Sequence, residues 1–151
     1  MNAQTEITGQ ENIIDSRDII ARQEYLESFL IDSYNDTQED DESHVSSIDD
    51  LEEWAEEIFN NEFEEYKALT DLILDCEGYG DWDYGATLIS REYFVEYIKE
   101  LIDDCYEMPK ELNSGKWPYR HMVMDYEAAA AEAEQDYQEV TLFGYEFLIR
   151  A

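Results

Sequence analysis

Basic residues are scarce in this chain: 9 Lys and Arg stand against 40 Asp and Glu, leaving a formal net charge of −31. That deficit excludes direct binding of nucleic acid through its phosphates and makes an anionic membrane surface an unfavourable partner. No apolar run approaches the ~20 residues needed to cross a bilayer. Two cysteines in 151 residues exclude a disulfide framework. Cys76 and Cys105 each fall at apolar positions of helical patterns, where small buried thiols are expected. The segment MNAQTEITGQEN has neither a basic region nor an apolar core, so it does not read as a secretory signal, and the expected location is the cytoplasm.

Aromatic residues, in contrast, are plentiful. Twelve Tyr, 6 Phe and 3 Trp make up 14% of the chain. At a mean hydropathy of −0.63 such a content separates an acidic folded domain from a disordered polyanion, which would be aromatic-poor. The length suits one domain.

The pattern along the chain predicts an α+β fold, mainly helical, with about four helices and a carboxyl-terminal β-hairpin laid on them. Residues 1–14 read as a flexible tail and residues 15–151 as a single acidic domain. Asp15 or Ser16 caps a first helix carrying Ile19, Leu26, Phe29 and Leu30 at helical spacing and ending near Ser33. Residues 34–46 are polar and acidic without apolar period, as in a solvated linker. Ser46 and Ser47 then open a long helix, with Leu51, Ala55, Ile58, Phe59, Phe63, Tyr66, Leu69 and Ile73 on one side, stopped by Gly78 or Gly80. After a loop anchored by Trp82 and Tyr84, Ser90 caps a third helix that turns Phe94, Ile98, Leu101, Ile102 and Cys105 inward and ends at Pro109. Residues 107–124 are irregular, and Asp125 caps a short alanine-rich helix. Val140 and Leu142, then Tyr145, Phe147 and Ile149, alternate about a Phe-Gly pair, the pattern of a hairpin. Two strands alone are marginally stable, so this hairpin must bury its apolar face on the helices.

Charge patterning is the strongest signal. Between Arg22 and Lys67 lie 44 residues without Lys or Arg, 17 of them acidic. Helical residues three or four apart are neighbours, which places Glu52, Glu53, Glu56, Glu57 and Glu64 in a row opposite the apolar stripe, with Asp49 and Asp50 of the helix start counted to the same acidic surface. The third helix repeats the arrangement with Glu92, Glu96, Glu100, Asp103 and Asp104. Solubility of a small domain needs only ~2–8 net charges, and like charges at i,i+4 destabilise a helix, so the excess points to use. Duplex DNA carries one charge per ~1.7 Å, so the same charge spans about 53 Å of duplex, and a helix over 48–77 would be ~45 Å long.

Other chemistry finds little footing. His44 and His121 have no nucleophile at a recognisable motif beside them, and the chain shows no Gly-rich phosphate loop and no Cys/His zinc cluster, so neither an enzyme nor a cofactor is expected. Starting at Asp81, the residues Asp83, Gly85, Thr87, Leu88 and Glu92 fall at calcium-loop positions, but Ala86 occupies the place where the turn requires Gly. Lys110, Lys116, Arg120 and His121 form a small basic island, expected to pair with the chain's own carboxylates.

Three stretches carry a family resemblance: REYFVEYIKELIDDCYEMPKEL, MDYEAAAAEAEQDY and FGYEFLIR. Together, over Arg91 to Arg150, they resemble the last domain of ArdA-type antirestriction proteins, acidic proteins of plasmids, transposons and phages. SGKWPYRH, with three basic residues, is inserted between Leu112 and Met122. The resemblance implies an elongated dimer whose carboxylates imitate DNA phosphates and fill the DNA groove of type I restriction and modification enzymes. It implies such a role for Glu100, Asp103, Asp104, Glu107, Glu111, Asp125 and Glu127; that of the earlier carboxylates rests on charge spacing alone.

The sequence therefore predicts a non-enzymatic DNA mimic directed at a basic DNA-binding host protein. A restriction-modification enzyme leads, ahead of a CRISPR effector or a nucleoid protein, and the aromatic surplus, Trp54, Trp82 and Trp117 included, leaves room for a homodimer. Two other readings remain: an acidic module that docks on a basic partner without displacing DNA, and an immunity-like nuclease inhibitor.

Overall fold

The computed structural model describes residues 6–150. Among them, four antiparallel strands form one sheet in the order β1-β2-β4-β3: β1 Ile13–Asp15, β2 Thr87–Ser90, β3 Tyr137–Leu142 and β4 Tyr145–Arg150. Six α-helices flank it: α1 Ser16–Asp36, α2 Glu52–Ile58, α3 Asn60–Cys76, the single turn α4 Trp82–Gly85, α5 Phe94–Cys105 and α6 Tyr126–Ala133. The α+β class, the helical majority and the terminal hairpin packed on helices are as the sequence predicts.

The hairpin turns at Phe143 and Gly144, at φ 54° and 82°. Both central residues of a tight primed turn need positive φ, and glycine meets that demand without strain. Its strands bury residues on two faces. Phe147 and Ile149 join Leu88, Leu142 and the apolar sides of α1, α2 and α3 in one core, whereas Leu148 and Ile89 face α5 and α6, against Phe94, Ile98 and Ala130. Successive side chains of a strand point to opposite faces, so the consecutive buried residues place the sheet between two helical layers.

Several expectations are corrected. The tail is packed over its described part: Ile7 and Ile14 are buried and β1 pairs with β2, while residues 1–5 lie outside the described residues. Glu11 ties this segment down by accepting from the backbone N–H groups of Thr8 and Gly9 at 3.0 and 2.8 Å. Burial pushes its carboxyl up, but those bonds and the Thr8 hydroxyl outweigh it and leave the group below its ordinary range. A Cβ at Gly9 would stand 2.6 Å from the Tyr145 ring, so the close approach requires glycine.

The first helix, capped by Asp15 through the Arg17 N–H, runs to Asp36 rather than Ser33. The expected linker is pinned where Asn35 brackets the backbone of Val45, donating at 3.0 Å and accepting at 2.9 Å. The long helix over 48–77 does not form. A 3₁₀ turn, Ile48–Asp50, precedes α2, and the chain breaks at Phe59, with φ −125° and ψ 56°. Phe59 stacks edge-on with Phe29 at 5.1 Å and Trp54 at 5.6 Å, and Trp54 meets Tyr34 at 5.2 Å, so the break brings aromatic side chains of α2 back onto α1. It also turns Ile58 outward, to 55% exposure.

The loop before Ser90 contains α4 and β2. Trp82 is buried but Tyr84 is not, and the calcium-loop positions run through a helical turn and a strand. On α5, Leu101 and Cys105 face solvent instead of the core; Cys76 is buried, and burial pushes its thiol up to about 11.

Candidate interaction surface

Among the described residues no Asp or Glu side chain is buried, and all sixteen carboxylates expected at the surface are exposed. The reason is local. In α2 the inward positions go to Ala55 and in part to Trp54, which leaves Glu52, Glu53, Glu56 and Glu57 outward. In α5 the core positions are Phe94 and Ile98, and Glu96, Glu100, Asp103 and Asp104 occupy the opposite side.

The structure does not gather them on one face. Glu52, Glu56 and Glu64 lie around Lys67 of α3: Lys67 pairs with Glu64 at 2.9 Å, and that bond, with Glu56 and Glu52 nearby, raises the Lys67 ammonium above its ordinary value. Asp50 and Glu53, with Asp49 and Glu52, rim a depression of about 390 Å³ whose other walls are Tyr34, Leu51 and Trp54. The second group lies on the other helical layer. Glu96, Asp125 and Glu127 share a shallow groove of about 450 Å³ between α5 and the start of α6, where Asp125 caps the helix through the Ala128 N–H at 3.0 Å. Glu92 stands apart, in the 3₁₀ turn Arg91–Tyr93, on a cleft shared with Arg91 and Glu146. Glu107 and Glu111 belong to the irregular segment after α5. The ~45 Å rod is replaced by α2 and α3, about 10 Å and about 26 Å long at ~1.5 Å per residue.

Two tyrosines unforeseen in the sequence hold part of the second group. The Tyr93 hydroxyl donates to both oxygens of Glu100 at 3.0 Å, and Tyr126 donates to Asp103 at 3.0 Å. Each bond to a carboxylate pushes its phenol above the ordinary range. The i,i+7 spacing of Tyr93 and Glu100, two helical turns, was the one sequence signal available for the first.

Cations are spent elsewhere. Asp15 holds Arg17, Glu65 holds Arg22, and Arg91 lies among Glu134, Glu139 and Glu146. Of the sixteen, Glu64 alone has a Lys or Arg within ion-pair distance among the described residues. Like charges at this density repel one another through solvent and attract any cationic surface. The basic island also departs from expectation: among the described residues no carboxylate pairs with Lys110, Lys116, Arg120 or His121, and Arg120 Nε instead donates to His121 Nε2 at 3.3 Å.

No helix among the described residues is long and apolar enough to cross a membrane. No family model, curated protein or solved structure matches the chain.

Proposed function

We propose that this chain is a non-enzymatic DNA mimic that inhibits a host DNA-binding defence enzyme, a type I restriction-modification enzyme first among the candidates, by occupying its DNA groove in the cytoplasm. The observation that carries this reading is the state of the sixteen surface carboxylates: exposed on both helical layers and, Glu64 apart, without a Lys or Arg partner among the described residues. A groove built for phosphates is lined by Lys and Arg and releases counterions when filled by a polyanion, whatever the chemistry of the charge. Carboxylates offer that attraction with neither a scissile bond nor a base edge. The resemblance of Arg91 to Arg150 to ArdA-type proteins supports the choice of target class. The split surface supports engagement from two sides rather than along one rod.

Charge removal tests it. Affinity drawn from many phosphate-like contacts falls gradually, so single substitutions should do little, whereas Glu52, Glu53, Glu56 and Glu57 changed together to Gln should weaken binding to a type I enzyme several-fold and flatten its salt dependence. Glu100→Gln with Asp103→Asn and Asp104→Asn tests the other layer. The proper aromatic control is Trp117, because Trp54 belongs to the Tyr34–Phe59 cluster and its loss would disturb the fold. Full affinity in both amide sets, with binding abolished by Trp117→Ala, would identify a hydrophobic hot spot and favour the acidic-module reading instead.

A further inference from the structure

One small cavity, of about 170 Å³, lies between the end of the sheet, α5 and the loop that leads into α4. Its sheet wall follows from the register. Ile89 and Leu148 face α5 and α6, so Thr87 and Arg150, each two residues further along β2 and β4, lie on that same face, and Tyr137 of β3 stands opposite Arg150. Tyr97 reaches the cavity from α5, and Asp81 from the position just before α4. Ile89 is buried and gives the cavity an apolar wall, while Asp81 and Arg150 are open to solvent. None of these residues belongs to the sixteen carboxylates of the proposed target surface.

Opposite charges line this cavity without pairing. Among the described residues neither Arg150 nor Asp81 makes an ion pair. The hydroxyls of Thr87, Tyr97 and Tyr137 have no hydrogen-bond partner among those residues either. Burial pushes the Tyr137 phenol up, with Tyr97 and Asp136 adding to the rise and Arg150 opposing it, so at neutral pH this phenol is a donor. In a chain with 40 acidic residues, a guanidinium that has no carboxylate partner and stands beside three hydroxyls is placed to receive a carboxylate from outside. A simple anion is repelled by the net charge of −31, and a simple cation drawn to Asp81 meets Arg150. A neutral molecule carrying both signs escapes both penalties.

We infer that this cavity binds a small free α-amino acid as its zwitterion, the carboxylate on Arg150 and the phenols of Tyr97 and Tyr137, the ammonium on Asp81 and the Thr87 hydroxyl. The guanidinium and the phenols donate to the carboxylate; the ammonium donates to the Asp81 carboxylate and the Thr87 oxygen. Ile89 takes the α-carbon and a short side chain. Water occupies ~30 Å³ per molecule in the liquid, so the cavity holds the equivalent of about six waters, which limits the ligand to amino acids as small as glycine, alanine and serine. Bound there, the ligand ties the loop before α4 to β4 and α5 and stabilises the fold by mass action. This site is independent of the proposed target, since it shares no residue with that surface.

The test is an amide NMR titration of the isotope-labelled full chain with L-alanine and, separately, with acetate and ethylammonium, which carry one charge each. L-Alanine should give saturable shifts confined to amides around the cavity, those of Gly85, Thr87, Tyr97 and Arg150 among them, with the millimolar affinity that so few atoms allow. Acetate and ethylammonium should each bind at least ~10-fold more weakly. Arg150→Gln and Asp81→Asn, both at exposed positions, should each weaken L-alanine binding at least ~10-fold, while the rest of the amide spectrum stays in place and so reports an intact fold. Shifts that are absent or scattered over the surface, either single-charge probe binding as tightly as L-alanine, or either variant binding like the native protein would each overturn the inference.

Discussion

Arg22 and Glu65 form a two-pronged ion pair between α1 and α3, with Nε to Oε2 at 2.6 Å and Nη2 to Oε1 at 3.0 Å. Their side chains are only 16% and 20% exposed, and the pair raises the Arg22 guanidinium further above its ordinary value. Parallel hydrogen bonds in this fork geometry fix the approach of the two helices as well as attract them. Glu65→Ala leaves the guanidinium half-buried without a partner and should cost about 2 kcal/mol, read by urea unfolding. Unchanged stability would mean that water replaces the carboxylate at no cost.

A second anchor lies where α1 meets the loop before β2. The Ser16 hydroxyl, fully buried, donates to the Trp82 carbonyl at 2.7 Å and accepts from the Ala86 N–H at 2.8 Å. Ser16→Ala strands two buried backbone groups, so a loss of about 1–3 kcal/mol is expected in the same assay. Ser16→Cys, close in size but a weaker partner, should fall between.

Legibility in the sequence followed the length and regularity of each signal. The run from Ile19 to Leu30 at helical spacing and the alternation about Phe143–Gly144 each repeat over enough residues to define an element. Leu88–Ile89 does not: both residues are buried because helices cover both faces of β2, and a strand of four residues without alternation resembles a loop. The break at Phe59 depends on ring contacts with Phe29 of α1, so the apolar period alone continued a helix through it. Outward orientation of the carboxylates was readable from helical spacing. Their division between two layers was not, since it depends on which face of the sheet each helix covers.

Acid should loosen the amino-terminal segment before the rest. Glu11 and Asp15 both titrate below the ordinary range, the latter chiefly through its bond to Arg17. A carboxyl whose folded value is depressed contributes stability above its unfolded value, near 4, and loses that contribution as pH falls through the lower folded one. Hydrogen-exchange protection of the Thr8 and Gly9 amides, normalised to unfolded rates, should therefore fall between about pH 5 and about pH 3, and Glu11→Gln should remove much of that change. Protection that is constant over the interval would contradict the role given to Glu11.

Salt should act on the whole fold. Most carboxylates lack a cation, so screening relieves repulsion and the melting midpoint should climb from low salt to ~0.5 M. A midpoint that stays flat or falls would show that attractive pairs balance the surface charge, against the arrangement described.

The central claim is that the carboxylates stand in for DNA phosphates, and competition with DNA tests it most directly. With a purified type I restriction-modification enzyme holding a labelled duplex, the native chain should displace the duplex, and added non-specific duplex should in turn displace the chain and restore enzyme activity. Both exchanges should weaken together as salt rises, because each depends on counterion release. A ternary complex, in which enzyme, duplex and this chain are bound at once with DNA affinity unchanged, would contradict the mimic account.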